Sequence, residues 1–473
     1  MKNLNNTLFI LLLAINVSFS QTIDSTGLDI KKGWSFGVLP AITYNSDLGF
    51  QYGGVIDLYN YGKGDIYPKY YERYFLEISR FTKGSGKYNF SYETNKLIRG
   101  KTIYFDIKYE PDEQYDFLGG NGYESVINAD WENREHTSYK SKMFYKNQTK
   151  RLKVKFDLLN PINKTWSWMI GLEYYNYDVN SVDVDKYNNG RKDDEKIRPI
   201  DEMPGLWDRY VKWGVIDSDN ANGGSFLGFK VGAMFDTRDN WTNATKGIWT
   251  EAVLVWVPQF IGNTSTSYLK LNLTHRQFFT VIKDKLTFAY RLGYTGNITG
   301  NEPYFGLPIM YNVTLKGSSN EGLGGQRTLR GIRRNRVVGN GEVYGNGEFR
   351  YKFLKFRWVK QNWYLSLNAF LDAGRVVQLL PLEDQVHSIN ETTPLNDYNL
   401  WGQYAIGYDA DGNPNSDTID DYFNFGAEKT HYSYGVGFRI ALNENFVVGL
   451  DYGRTFNNQD GISGMYIGLN YIF

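Results

Sequence analysis

The stretch Gly464-Met-Tyr-Ile-Gly-Leu-Asn-Tyr-Ile-Phe473 closes the chain and decides its fold. Met465, Ile467, Leu469, Tyr471 and Phe473 share one parity, and Tyr466, Gly468, Asn470 and Ile472 share the other. Successive side chains of a β-strand point to opposite faces. A membrane-crossing strand needs about 9–11 tilted residues, so this stretch has the length and the pattern of one such strand.

The pattern recurs upstream. In 445–454, Phe446, Val448, Leu450 and Tyr452 oppose Gly449, Asp451 and Gly453; in 432–442, Tyr434, Val436, Phe438 and Ile440 oppose Gly435, Gly437 and Arg439. Stretch 347–353 sets Glu348, Arg350 and Lys352 against Phe349, Tyr351 and Phe353, and 285–295 alternates in the same way. Further candidate strands are 33–44, 47–58, 72–82, 86–95, 102–110, 136–148, 150–160, 165–178, 224–236, 247–258, 266–279 and 361–374. That makes seventeen, whereas single-chain bacterial barrels take an even number. The expectation is therefore an all-β chain forming one antiparallel transmembrane barrel of about sixteen strands, with one segment surplus. Counting back from Phe473 puts the polar stretches 179–223, 299–342 and 375–431 at one end, as long external loops.

Composition agrees. The chain holds 38 Tyr, 29 Phe and 12 Trp, yet its mean hydropathy is -0.48. A helical membrane protein is not that polar, whereas a barrel turns only alternate residues to lipid and sets Tyr and Trp at the interfaces. Lys2, the apolar run Leu8–Val17 and the small residues Ser18 and Ser20 predict a cleaved signal peptide over 1–20. Residues 21–32 then form a short periplasmic segment before a barrel over 33–473. With no Cys, and with 52 basic against 52 acidic residues, neither a disulfide scaffold nor a nucleic-acid partner is indicated.

Three motifs carry mechanism. Phe235-Asp-Thr-Arg-Asp-Asn240 ends a strand in a turn, where Asp236, Arg238 and Asp239 can cap backbone groups and each other. Gly324-Gly-Gln-Arg-Thr-Leu-Arg-Gly331 lies in a long loop, followed by Gly347-Glu-Phe-Arg-Tyr351. Phe370-Leu-Asp-Ala-Gly-Arg-Val376 closes the next strand, with Asp372 on the lumen parity of Tyr364, Ser366, Asn368 and Phe370. A carboxylate placed there calls for a cationic partner. In this order and spacing the motifs resemble the barrel of the BamA/TamA superfamily of outer-membrane assembly factors and two-partner secretion transporters. The family's VRGF or VRGY loop reads LRGI here. The resemblance implies a loop folded into the barrel, with Arg330 and Gly331 locked against Asp372 and Gly374 and helped by Glu348 or Arg350. The alternative, a solvated or lipopolysaccharide-binding basic loop, is the better reading for Arg333, Arg334 and Arg336. The end of the chain, Tyr471 and Phe473, resembles the C-terminal signal read by outer-membrane assembly machinery.

Enzyme chemistry is not expected. His136, His275, His387 and His431 lack metal-ligand spacing, and no GxSxG occurs. Asp409, Asp411, Asn413 and Asn415 follow a calcium-loop spacing in an oxygen-rich loop that also holds Asp417, but Pro414 occupies the place where glycine is wanted, so a plain polar loop is the better reading. No cofactor is expected. Family relatives usually carry periplasmic POTRA domains, for which 21–32 leaves no room. The expected function is to assist protein insertion, assembly or export at the outer membrane within a larger complex. Its partners would be outer-membrane lipid, lipopolysaccharide and other outer-membrane or periplasmic assembly proteins. A passive channel gated by the inward loop and a structural scaffold for partner proteins stay open.

Overall fold

A computed structural model describes residues 22–473 other than 24–28, 67–68, 241–242, 260, 263–266, 312–321, 359–360, 387–406, 409–413, 416–418, 443–445 and 470. The expected signal peptide, 1–20, lies outside the described residues. One closed antiparallel barrel dominates. Its strands are β1 (Trp34–Pro40, continuing as Thr43–Asn45), β2 (Gly49–Asn60), β3 (Glu72–Phe81), β4 (Gly86–Thr94), β5 (Thr102–Asp116) and β6 (Lys146–Pro161). They continue as β7 (Trp166–Asn180), β8 (Gly223–Asp236), β9 (Gly247–Val257), β10 (Tyr268–Ile282) and β11 (Leu286–Gly300). The last are β12 (Gly341–Trp358), β13 (Gln361–Gln378), β14 (His431–Leu442), β15 (Phe446–Thr455) and β16 (Ser463–Leu469). The two pieces of β1 count as one strand, because Pro40 opposes Gly54 and Thr43 opposes Gln51 in a single register.

The surplus segment is 136–148. Residues before Lys146 run through turns, and Met143, Phe144 and Tyr145 are buried in succession. Consecutive buried side chains leave no alternating face, so this stretch packs into a cap instead of crossing. A second correction concerns the chain's end. β16 stops at Leu469, after which Tyr471 is buried and Phe473 packs 6.4 Å from Phe278, so neither continues the outward parity of Met465.

Alternation sorts the wall elsewhere. On β12, Phe349 and Tyr351 are exposed while Glu348 and Arg350 are buried; on β13, Leu367 and Leu371 are exposed while Ser366, Asn368 and Asp372 are buried. Aromatic pairs mark both rims of the outward face: Trp34–Tyr74, Trp166–Phe235 and Trp358–Trp363 near the short turns, and Tyr88–Tyr109 and Tyr434–Phe456 near the long loops. Rings with one apolar body and one wet edge collect at such interfaces.

The connections 117–145, 181–222, 301–340 and 379–430 all leave the same end of the barrel. They share one apolar core. Helix α1 (Val184–Asn188) is short, but helix α2 (Leu206–Trp213) buries Leu206, Trp207, Tyr210 and Trp213 against Phe117, Phe305, Tyr422 and Phe423. Trp213 meets Tyr422 edge-on at 4.9 Å, and Phe117 meets Trp207 at 4.9 Å. The loop end of the barrel is therefore capped by a packed core built from separate loops.

Candidate functional site

Residues 322–338 fold on themselves before they meet the wall. Leu323 and Val337 exchange backbone hydrogen bonds of 3.1 and 3.0 Å, and Thr328 Oγ1 both accepts from Gly324 N and donates to Gly324 O. Leu323, Leu329, Ile332 and Val337 gather around Val376 of β13. Gly374 makes room for them: a Cβ there would stand 2.8 Å from a Leu329 methyl and 3.0 Å from a Leu323 methyl.

The tip of this segment carries Arg330, which is fully buried. Its Nε and Nη2 donate to the two oxygens of Asp372 at 3.0 Å each, and its backbone N–H donates to Asp372 Oδ2 at 3.0 Å. Nη1 donates to Glu348 Oε2 at 2.8 Å, and the guanidinium lies 3.4 Å over the Phe370 ring. Burial alone would lower the Arg330 pKa, but Asp372 and Glu348 outweigh it and hold the pKa above the ordinary guanidinium value. Glu348 is shared, since its Oε1 accepts from Arg350 and Asn368. The planar fork of arginine suits such a two-oxygen partner, and a lysine would not.

Gly331 adopts φ +95, in the left-handed region that favours glycine, and a Cβ would lie 2.6 Å from the Gly453 carbonyl carbon of β15. Its N–H donates to the Tyr466 hydroxyl of β16 at 3.2 Å. Arg330, Gly331, Glu348, Asp372 and Gly374 thus meet at one place, against the last strands of the barrel.

The neighbouring arginines correct the sequence reading. Arg334 donates to Asp112 at 2.6 Å and to Asp116 at 3.1 Å, both on β5. Arg333 pairs with Glu132 at 2.9 Å, and Arg336 reaches Asp460 at 3.4 Å and the Gly122 carbonyl at 2.6 Å. They are absorbed by carboxylates and carbonyls of distant segments, so they do not form a free basic surface. Asp460 also accepts from the Tyr123 hydroxyl at 2.6 Å and lies 2.6 Å from Nδ1 of the buried His431. Sequence reasoning missed these partners. It also missed the lumen pairs Lys230 with Asp157 and Glu173 (2.8 and 2.7 Å) and Lys153 with Asp106 (3.3 Å). Charges repeated on the inward parity of β5–β8 were the available signal.

The turn motif holds itself. Arg238 forks onto Asp236 at 3.0 and 2.7 Å, Asp239 accepts from Thr245 and Lys246, and Trp249 lies between Arg238 and Arg276, each 3.8 Å from its ring. The calcium candidate Asp409, Asp411 and Asp417 lies outside the described residues. Among the described residues no group of three or more metal-ligating side chains occurs. At the chain's end Arg350 donates to the Phe473 carbonyl at 2.9 Å and lies 4.1 Å over the Tyr471 ring.

Where the barrel closes, β16 and β1 align, among the described residues, Tyr466 with Asn45 and Ile467 with Tyr44. Ser46 adds backbone and hydroxyl bonds to Met465. Among the described residues the register of β16 with β1 is confined to these two pairs, and Trp34–Pro40 is aligned with β2 alone.

Comparison with known proteins places this geometry. No curated protein matches the chain in sequence. Among solved structures, BamA from Haemophilus ducreyi lacking POTRA domains 1–3 superposes with a TM-score of 0.52 at 14% identity, covering 98% of this chain and 77% of that one. CdiB from Escherichia coli gives a TM-score of 0.53 at 10% identity, covering 97% and 67%. At such identities the likeness speaks for the fold alone. The Omp85 superfamily domain matches residues 50–473. This chain is an outer-membrane β-barrel that belongs to the Omp85 superfamily.

Proposed function

We propose that this barrel assists the insertion, assembly or export of proteins at the outer membrane, within a larger complex, by opening the seam between β16 and β1. The shortness of that seam is the main support: among the described residues two register pairs close it, and Trp34–Pro40 is aligned only with β2. An unpaired edge is a template for an incoming strand. Gly33 and Gly37 add little packing beside it, since a Cβ on either would meet nothing within 4 Å. In this reading the Arg330–Asp372–Glu348 fork is the inner lock that keeps the loop in place while the seam moves. The aromatic core over the loop end weighs against a passive channel.

The test is a lock across the seam. Tyr44 and Ile467 are aligned partners, so their Cα atoms fall within disulfide reach, and the chain has no other cysteine. The oxidised Tyr44→Cys/Ile467→Cys barrel is expected to stop supporting the assembly or export of outer-membrane proteins, and reduction should restore it. Unimpaired assembly with the seam shown closed on a gel would rule the reading out.

A further inference from the structure

Four polar side chains form a chain on the outward face of β9–β11, where apolar residues are the rule. Thr250, His275, Gln277 and Tyr290 share outward parity with the exposed Leu273, Phe279 and Leu292. Thr250 opposes His275, and Gln277 opposes Tyr290. Thr250 Oγ1 lies 2.7 Å from His275 Nδ1, His275 Nε2 lies 3.3 Å from the Tyr290 hydroxyl, and that hydroxyl donates to Gln277 Oε1 at 2.7 Å. The donors fix one order. Tyr290 gives its proton to Gln277, so it accepts from His275 Nε2–H, which leaves Nδ1 to accept from Thr250. One group stays unused: the Gln277 amide NH2 brings two donors to the outer face with no acceptor among the described residues.

Polar side chains facing hydrocarbon are costly and mark function. Their depth is informative. Phe279 opposes Phe288, and Phe288 packs 4.9 Å from Phe349, forming part of the aromatic belt on the turn side. The quartet fills the next two outward rows, within about 14 Å of that belt along the strand. Below it, Lys246, Lys283 and Lys285 are exposed in the turns that end the same strands. Donors one and two rows inside the aromatic belt, with Lys246 level with Phe279 in the neighbouring strand, match a molecule with acceptor oxygens at one level and a phosphate at the next. Nucleophilic catalysis by Thr250 fits less well, because both ring nitrogens of His275 are engaged and the flanking backbone amides belong to the ladder.

We propose that Thr250, His275, Tyr290 and Gln277 form a phospholipid-binding site on the outer wall, with the Gln277 amide as donor to an ester or phosphate oxygen of the lipid.

The probe is diacyl phosphatidylethanolamine added to the delipidated full-length barrel and counted by native mass spectrometry. Thr250→Val/Gln277→Leu, which suits a lipid-facing wall, is expected to bind it about tenfold more weakly while keeping heat-modifiable migration on gels. If that variant folds poorly, Tyr290→Phe cuts the same chain with the ring kept, and it should weaken retention in the same direction. A dialkyl-ether analogue reports which oxygen is read: weaker binding than the diacyl lipid points to the ester, equal binding to the phosphate, and either supports the site. Unchanged lipid retention in both variants overturns the proposal. So does the loss of a co-purifying protein or a second copy of the chain with lipid retention intact, which would make the patch a protein contact.

Discussion

The barrel wall at β12–β13 and its seam at β16–β1 are built from the same alternating sequence, yet they differ in kind. Among the described residues the wall aligns seventeen residue pairs from Gly341–Gln378 to Trp358–Gln361, while the seam aligns two. Asp372, Glu348 and Gly374 lie on the wall and grip the arginine loop. On the seam side the same loop touches Tyr466 of β16 through Gly331 and reaches β5 through Arg334, with β1–β4 between them. The loop thus straps together two parts of the barrel that the strand ladder barely joins. One side is held by many hydrogen bonds and a buried fork; the other depends on a few contacts that can be released.

Breaking the wall-side grip should have the largest effect. Asp372→Ala leaves the Arg330 cation buried with Glu348 as its main partner, and removing one partner of a buried pair costs about 3–5 kcal/mol. The expected outcome is a clear drop in the temperature at which the folded gel band disappears, with protease cleavage inside 322–338. Releasing the seam-side strap should cost less. Arg334→Ala strips Asp112 and Asp116 of one partner, about 1–3 kcal/mol, but Lys146 still pairs with Asp116. Its signature is faster oxidative trapping across Tyr44→Cys/Ile467→Cys than Asp372→Ala gives at matched stability. The smallest effect belongs to the cap, which neither side uses. Burial raises the Asp208 pKa above the ordinary carboxylate value, against hydrogen bonds from Ser181 and Gly205. A raised carboxyl binds its proton more tightly when folded, so its contribution is full below the unfolded pKa and is lost as pH rises through the folded one. Cap stability, followed by tryptophan fluorescence, should fall slightly as pH rises from the ordinary carboxylate pKa through the raised one, and Asp208→Asn should flatten that slope.

Much of this contrast was legible locally. Period-two alternation in β12–β15 assigns each side chain to one face without any knowledge of its partners, and it was the family resemblance of the motifs around Arg330 and Asp372 that brought the arginine loop and its wall into view together. What failed was long-range. Segment 136–148 alternates well enough to pass as a strand, and only its packing with Trp131, Leu206 and Tyr422 makes it part of a cap. Arg334 read as a surface cation because its carboxylate Asp112 is 222 residues away. Tyr471 and Phe473 continue the parity of β16 on paper, but Arg350 and Phe278 draw them from the wall. Nor does alternation say how many pairs a closing seam makes, since that depends on where β1 and β16 meet in register.

Hydrogen exchange read strand by strand, with the barrel in lipid nanodiscs, tests the central claim most directly. Amides of Trp34–Pro40 and β16 should exchange orders of magnitude faster than those of the β12–β13 ladder. Equal, slow exchange at both places would contradict a releasable seam set against a rigid wall.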